Sequence, residues 1–196
     1  MIFTETSLKR AFLIELEKLQ DQRGFFARTW CQREFAVHGL NIQLAQCSIS
    51  HNQRQATLRG MHYQISPYEE TKLVRCLKGA ICDVIIDLRP GSPTFKQHYS
   101  VVLSAENYKM LYIPEGFAHG FQTLEDDTEV FYQISEFYHA ESARGIRWND
   151  PAFNINWPLE VQVISERDQQ YPDFDKNIDS FIGNTRTDVL EPLQGT

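Results

Sequence analysis

Five side chains able to carry positive charge occur in a segment that is patterned like a β-hairpin, and three of them could do chemistry. Arg59, His62 and Lys72 lie in TLRGMHYQISPYEETKLVRCLKG, residues 57 to 79. An imidazole gains or loses a proton near neutral pH, and guanidinium and ammonium groups hold anions. The segment therefore raises the question of whether these groups are merely solvated or are turned inward to exchange protons and bind a small anion.

Gly60 decides whether Arg59 and His62 can face the same way. Side chains alternate along a strand, so His62 shares a face with Leu58 while Arg59 lies on the other face. A glycine inside a strand often marks a bulge, and a bulge breaks the alternation. We predict a bulge at Gly60 that directs both side chains into one cavity. A regular ladder through residues 58 to 63 would contradict this prediction.

Lys72 shares a strand face with Val74 and Cys76, so it is an isolated charge at the edge of an apolar surface. Such a lysine commonly lies on an edge strand, where it extends to water and deters aggregation. The pattern alone favours this structural role for Lys72 over a catalytic one.

Two further polar side chains fall within apolar faces. His119 alternates with two phenylalanines in IPEGFAHGFQTL, and Tyr132 alternates with Val130 and Ile134 in EVFYQIS. A core histidine with a satisfied hydrogen bond and a core tyrosine bonded to the backbone are the commoner explanations of such positions. From the pattern alone, both residues are expected to serve packing.

A metal site would need more ligands than the motifs supply. The cupin layout has His-x-His and Glu in a first motif and one His after Pro-x-Gly in a second. PEGFAH preserves the second motif through His119, but the first offers only one histidine, His62. We therefore predict no metal site. Cys76 and His62 would be a conceivable thiol pair, but Cys76 lies in an apolar run and is expected to be inert packing.

Short strands must position these residues. From about residue 43 to 137, apolar or alternating runs are separated by turn residues, with no long helix between them. This pattern predicts an all-β fold, an antiparallel sandwich or barrel. A short helix is expected in CQREFAVHGL, ending near Gly39, and WPLEVQVISERDQQYPDF is expected to add a strand and a second short helix.

Length and charge limit the remaining classes of protein. The 196 residues fit one domain, with a core from about 10 to 172 and a polar tail over 175 to 196. A net charge of -7 argues against nucleic acid as a partner, although a pocket inside an acidic protein can still be basic. The sequence has no C-x-x-C pair, no signal-peptide layout and no apolar run near the roughly 18 residues of a membrane span. We therefore expect a cytoplasmic protein with no membrane contact.

Six motifs, in order along the chain, resemble those of the dTDP-4-dehydrorhamnose 3,5-epimerase family of cupins. The resemblance spans about residues 10 to 172. It implies a cupin jelly roll, a β-sandwich or barrel with a few short peripheral helices. It also implies a homodimer with strands exchanged between subunits and no metal or redox cofactor. The motifs are DQRGFFART (21 to 29), TLRGMHYQ (57 to 64), TKLVRCLKGAICDVIIDLRPGSPTF (71 to 95), LYIPEGFAHGFQTL (111 to 124), EVFYQISEFY (129 to 138) and RGIRWNDPAFNINWP (144 to 158).

The resemblance assigns catalytic roles to four residues. His62 matches the base of the family's R-G-x-H-Y motif, and Asp168 in ISERDQQYP matches the Asp that pairs with that base. Lys72 matches the Lys of KLVR and would stabilise an enolate, and Tyr132 would return the proton from the opposite face. A hydrogen beside the carbonyl of a 4-keto sugar is acidic only because the carbanion delocalises into that carbonyl. A base, a cation and an acid therefore suit its removal and return.

Substrate-binding roles follow from the same resemblance. Arg59 and His119 would hold a phosphate or the developing oxyanion. Arg23 would bind the pyrophosphate, because a guanidinium group matches phosphate oxygens. The remaining expected contacts to the sugar or nucleotide are Phe26, Gln46, Ser48, Tyr138 and Arg167.

Two segments depart from the family pattern. The usual Q-D-N-x-S segment is here AQCSISHNQ, with Cys47 and Ser48 in place of the acidic and amide residues, and Arg28 replaces a Glu after RGFF. The nucleotide base, the sugar and the number of carbons inverted therefore stay open.

The implied function is cofactor-independent epimerisation at C3, C5 or both of a nucleotide-diphospho-4-keto-6-deoxyhexose. The favoured substrate is dTDP-4-dehydro-6-deoxyglucose, which would give dTDP-4-dehydrorhamnose. CDP or GDP sugars are alternative substrates. A non-catalytic cupin that binds a sugar nucleotide and a metal-dependent cupin oxygenase are the alternative classes.

Overall fold

A computed structural model describes residues 1 to 41 and 43 to 174 of the chain. Strands dominate, and no helix in these ranges is long and apolar enough to cross a membrane. The strands are β1 Ile2–Glu5, β2 Phe12–Glu15, β3 Leu19–Asp21, β4 Gly24–Phe26, β5 Gln46–Asn52, β6 Thr57–Gln64, β7 Lys72–Lys78, β8 Ala80–Asp87, β9 His98–Ser104, β10 Met110–Ile113, β11 Phe117–Thr123, β12 Thr128–Ile134, β13 Ala143–Gly145 and β14 Val163–Ile164. The helices are α1 Gln32–Val37 and α2 Glu166–Gln169.

The strands form two large sheets. The first has the order β1-β2-β10-β7-β12-β5, and the second has the order β13-β6-β11-β8-β9 with β14 added parallel to β6. β3 and β4 form a separate hairpin. The chain crosses repeatedly between the sheets, from β6 to β7 to β8 and from β11 to β12, as in a jelly roll. The predicted all-β cupin jelly roll with short peripheral helices is confirmed.

The main core lies between the two sheets. Val74 and Val130 of the first sheet pack with Ile81 and Phe121 of the second. Alternate residues of each strand enter this layer because successive side chains point to opposite faces. Burial of each such apolar side chain stabilises the folded protein by roughly 1.5–3 kcal/mol. Tyr132 packs against the same layer and marks where the apolar core meets a polar cavity.

β8 is buried along its whole length. Its outer face is covered by the segment that follows β13, where Ile146 and Phe153 pack in one cluster with Val84 and Ile86. A strand covered on both faces has a continuous apolar run rather than an alternating one, which explains AICDVIID. The chain after β13 is therefore part of the packed fold, and it leads directly to α2.

β7 is an interior strand, paired with β10 on one side and β12 on the other. The interpretation of Lys72 as an edge-strand lysine that extends to water is therefore wrong. Its side chain is only 10% exposed, because it is turned toward the space between the two sheets.

The peripheral elements agree with the sequence in kind. α1 lies where a short helix was predicted, and Gly39 follows it with φ of 65°. β14 and α2 lie in the segment predicted to hold a strand and a helix. β1 pairs with β2, so the fold begins before the predicted boundary at residue 10. The tail predicted for 175 to 196 lies outside the described residues.

The predicted bulge at Gly60 is confirmed. On β6, Arg59 pairs with Phe121 of β11 and His62 pairs with His119, so the interval is three residues on β6 and two on β11. Gly60 has φ of 130°, in the region that favours glycine, and its peptide bond to Met61 is cis. A Cβ at Gly60 would lie 2.5 Å from the Cα of Gly120. The two strands can approach this closely only because both positions are glycine.

Candidate active site

A cavity of about 330 Å³ lies between the two sheets. β5, β7 and β12 of the first sheet and β6 and β11 of the second contribute to its walls. Most of the predicted site residues line it: His62, Lys72, Tyr132, Arg59, His119, Gln46, Ser48, Tyr138 and Arg167.

His62 and Asp168 form a dyad at the wall made by β6. The Nε2 atom of His62 lies 2.8 Å from Oδ1 of Asp168, and the Gly60 amide donates to Oδ2 of Asp168 at 3.1 Å. The Asp168 amide donates to Oγ of Ser165, which caps α2. The glycine at the bulge thus orients the carboxylate as well as the strand, and the carboxylate orients the imidazole.

Asp168 is ionised at neutral pH. Burial works to raise the pKa of its carboxyl, but the hydrogen bond and charge of His62 and the bonds from Gly60 and Ser165 together outweigh burial. The pKa of Asp168 therefore lies below its usual range. An ionised carboxylate at this position favours an imidazole that accepts a proton on its other ring nitrogen.

Arg59 reaches the same cavity because of the bulge. Its Nε donates to Oδ1 of Asn52 at 2.7 Å, and Asn52 is buried at the end of β5. The Asn52 side chain also donates to the carbonyl oxygen of Thr128 on β12. The guanidinium group is therefore oriented by a neutral amide that leaves its full positive charge available to the cavity.

Lys72 is held by a carboxylate. Its Nζ lies 2.8 Å from Oε1 of Glu70, and both side chains are nearly buried. Glu70 also lines the cavity.

His119 and Tyr132 form a second polar group across the cavity. Nε2 of His119 lies 2.7 Å from Oδ1 of Asp83, and both residues are buried. The rings of His119 and Tyr132 pack edge to face with centroids 6.0 Å apart. His119 is thus a core histidine with a satisfied hydrogen bond, and it is also part of the cavity wall.

Tyr132 keeps its proton at neutral pH. Burial raises the pKa of its phenol, and the nearby charge of Asp83 raises it further, while Arg59 acts in the opposite direction. A phenol in this state can donate a proton to a strongly basic carbanion or enolate. Tyr132 comes from the first sheet and His62 from the second, so they line opposite walls of the cavity.

The loop after β12 closes one side of the cavity. The Tyr138 amide donates to Oε1 of Gln46 at 2.9 Å, and the His139 amide donates to Oε1 of Gln64 at 2.6 Å. A hydrogen bond with the Tyr138 side chain raises the pKa of Arg167. Gln46, expected to contact substrate, is therefore also a support for this loop.

Arg23 and Phe26 do not line the cavity of the chain that carries them. Both lie on the β3–β4 hairpin, with 91% of the Arg23 side chain and 73% of Phe26 exposed. Arg23 is paired with Asp21 at 2.6 Å.

The residues that depart from the family pattern fall on different surfaces. Gln46 and Ser48 face the cavity, whereas Cys47 points to the other side of β5 and is exposed. Cys47 therefore does not line the cavity of its own chain. Arg28 is paired with Glu34 on the surface.

The alternative chemistries gain no support from the geometry. Burial raises the pKa of Cys76 to about 11, and its thiol donates to the carbonyl oxygens of Lys78 and Gly79. Cys76 is therefore packing, as expected. Within residues 1 to 41 and 43 to 174, no three His, Cys, Asp or Glu side chains are grouped as metal ligands.

Sequence reasoning missed Asp83, Asn52 and Glu70. Asp83 had a signal, because it is a carboxylate inside the apolar run ICDVII and would need a partner if buried. Asn52 and Glu70 had none, since amides and glutamates in loops and at strand ends are ordinarily solvated.

The arrangement matches a known family. A family model described as dTDP-4-dehydrorhamnose 3,5-epimerase matches residues 5–176. The chain is 41% identical over 173 residues to the dTDP-4-dehydrorhamnose 3,5-epimerase of Sinorhizobium fredii, covering 88% of this chain and 89% of the relative.

Solved structures agree in fold over nearly the same length. The dTDP-4-dehydrorhamnose 3,5-epimerase of Elizabethkingia anophelis has a TM-score of 0.86 and 37% identity, covering 89% of this chain and 96% of its own. The enzyme of that name from Bacillus anthracis, with TDP and PPi bound, has a TM-score of 0.85 and 39% identity, covering 88% and 99%. By sequence, fold and extent of match, the chain belongs to the dTDP-4-dehydrorhamnose 3,5-epimerase family of isomerases.

Proposed function

We propose that the protein catalyses epimerisation at C3 and C5 of dTDP-4-dehydro-6-deoxyglucose, giving dTDP-4-dehydrorhamnose. The observation that carries the proposal is the His62–Asp168 dyad, which lies in one wall of a cavity whose opposite wall holds the protonated Tyr132. This is the arrangement needed to remove a proton from one face of a carbon and to return one to the other face.

His62 is the proposed base. Because Nε2 is engaged by Asp168, Nδ1 is the nitrogen that takes the proton from the sugar carbon. The electron pair of the broken C–H bond moves into the C4 carbonyl and gives an enolate. Asp168 stabilises the imidazolium that forms.

Lys72 and Tyr132 complete the reaction. The ammonium group of Lys72 stabilises the enolate oxygen, because a cation held in a partly enclosed cavity acts strongly on developing charge. Tyr132 then protonates the carbon from the opposite wall as the carbonyl re-forms. His62 returns its proton to solvent and Tyr132 regains one, so each inversion leaves the enzyme unchanged, and a second cycle inverts the second carbon.

Arginines suit the diphosphate of the substrate. Arg59 and Arg167 line the cavity and have neutral partners, which leaves their charge free for phosphate oxygens. Ser48 and Tyr138 would contact the nucleotide or sugar, and His119 would contact the sugar.

We further propose a homodimer in which the β3–β4 hairpin reaches the partner subunit. This arrangement would bring Arg23 and Phe26, which are solvent-exposed in one chain, to the mouth of the partner's cavity. The apolar side chains of Leu19 and Ile49, 71% and 61% exposed, would be covered in the same interface.

Proton NMR in deuterated water tests the function. On incubation with dTDP-4-dehydro-6-deoxyglucose, the signals of the hydrogens on C3 and C5 should disappear as solvent deuterium enters. His62→Ala should abolish this exchange and still bind dTDP, which separates an enzyme from a binding protein. CDP-, GDP- and UDP-linked 4-keto sugars serve as the comparison set. Absence of exchange with every one of these substrates would overturn the proposal, and exchange at one carbon alone would restrict it to single epimerisation.

A further inference from the structure

Glu70 places a negative charge in a cavity where the other charged side chains of the lining are cations. Among the described side chains that line the cavity, it is the one carboxylate. Its Oε1 lies 2.8 Å from Nζ of Lys72, with 12% of the Glu70 side chain and 10% of the Lys72 side chain exposed. A carboxylate here is unexpected if the cavity serves only to attract an anion, because it opposes the binding of phosphate.

The other cations of the cavity have neutral partners. Arg59 donates to Asn52, Arg144 donates to the backbone carbonyl oxygens of residues 141 and 143, and Arg167 is hydrogen-bonded to Tyr138. Within the described part of the chain, Lys72 is the cavity cation that is paired with a carboxylate. The cavity thus has three arginines with uncompensated charge and one compensated lysine.

We propose that Glu70 is a specificity-determining residue that cancels the charge of Lys72 toward phosphate. Without Glu70, the Lys72 ammonium would be a nearly buried, unpaired cation, which is a strong site for a phosphate oxygen. Paired with Glu70, Lys72 attracts a multiply charged phosphate less strongly, but it can still donate a hydrogen bond to the sugar carbonyl and to the charge that develops on its oxygen. The diphosphate is therefore directed to the arginines, and the sugar carbonyl is directed to Lys72. This assignment of the carbonyl rests on the function proposed above.

Inorganic pyrophosphate is a direct probe, because it carries the charge of the substrate without the sugar. Isothermal titration of the purified protein should give weak binding, and Glu70→Gln should bind pyrophosphate about tenfold more tightly. The factor is a conservative value for a phosphate oxygen that gains an unpaired ammonium about 4 Å away at an effective dielectric constant near 20. Glu141→Gln is the matched control, since it removes the same charge from an exposed position and should change the affinity less than twofold.

A double-mutant cycle separates this role from a purely structural one. In a Lys72→Met background, adding Glu70→Gln should increase pyrophosphate affinity much less than it does beside an intact lysine, because the gain depends on the freed ammonium. If Glu70→Gln does not fold, as judged by circular dichroism, Glu70→Ser removes the same charge and carries the same test.

Two results would overturn the inference. One is an affinity of the folded charge-removing variant within twofold of the unmodified protein, and the other is an equal gain with and without Lys72. Neither result depends on turnover. The deuterium-exchange experiment can therefore fail while the pyrophosphate comparison still stands, and the reverse also holds.

Discussion

Replacing Asp168 by Asn tests whether the charge behind His62 contributes to proton removal. The side chain keeps its size, and its carbonyl oxygen can still accept the hydrogen bond from the Gly60 amide. The change removes the negative charge that lies 2.8 Å from Nε2 of His62. The imidazolium formed during catalysis then lacks its counter-charge, so the barrier to proton removal should rise.

The expected size follows from the geometry. Two unit charges about 4 Å apart interact by roughly 4 kcal/mol at an effective dielectric constant of 20. The side chain of His62 is 42% exposed, and solvent screening reduces this to about 2 kcal/mol. A barrier raised by about 2 kcal/mol slows the reaction about 30-fold.

The assay is the initial rate of deuterium entry into dTDP-4-dehydro-6-deoxyglucose at neutral pH, with dTDP binding measured in parallel. We expect the rate to fall about 30-fold while dTDP affinity stays within threefold. Asp173→Asn is the control, because Asp173 is half exposed and pairs with Arg147 rather than with His62. A folded Asp168→Asn variant that exchanges within threefold of the unmodified protein would refute the role given to the dyad.

Four further predictions concern the elements around the site. Gly60→Ala should destabilise the protein by at least about 2 kcal/mol in urea unfolding, because the new Cβ would combine a φ of 130° with overlap on Gly120. Gly91→Ala is the control and should cost only about 1 kcal/mol, because Gly91 has a φ of 79° but open space around it. Gly145→Ala should lower the free energy of unfolding and slow deuterium exchange, because its Cβ would overlap the Tyr171 ring. Adding Tyr171→Ala should restore the free energy of unfolding, and a double variant that is no more stable than Gly145→Ala would contradict the steric explanation. If hairpins are exchanged in a dimer, mixing and refolding the inactive variants Arg23→Ala and His62→Ala should recover activity, since one cavity of each mixed dimer regains both residues; no recovery at any ratio argues against exchange. The ionised Asp168 stabilises the folded protein fully above its unfolded pKa of about 4, and this stabilisation is lost as the pH falls through the lower folded pKa. The difference in free energy of unfolding between the unmodified protein and Asp168→Asn should therefore become smaller below pH 4.

The residues around Gly60 show how far local pattern reaches. The strand period and the special conformational freedom of glycine were enough to predict a bulge that turns Arg59 and His62 to one side. The short strands separated by turns were enough to predict an all-β sandwich. These are properties of neighbouring residues, so they can be derived from sequence alone. The roles of Asp168 and Tyr132 came only from resemblance to a family.

The partners of the polar side chains were decided by tertiary structure. Lys72 was interpreted as an edge residue because alternation does not reveal how many strands lie beside it, and β7 proved to have neighbours on both sides. Asp168, the hydrogen-bond partner of His62, lies 106 positions away in the sequence. Asp83, the partner of His119, lies 36 positions away on another strand. Glu70 is close in sequence to Lys72, yet only the turn that folds both into the cavity makes them a pair. The strands, the bulge and the types of chemistry available therefore follow from residues that are close in the sequence. Which charges meet depended on the packing of the two sheets, because contacts between distant residues arise only when the core brings their strands together.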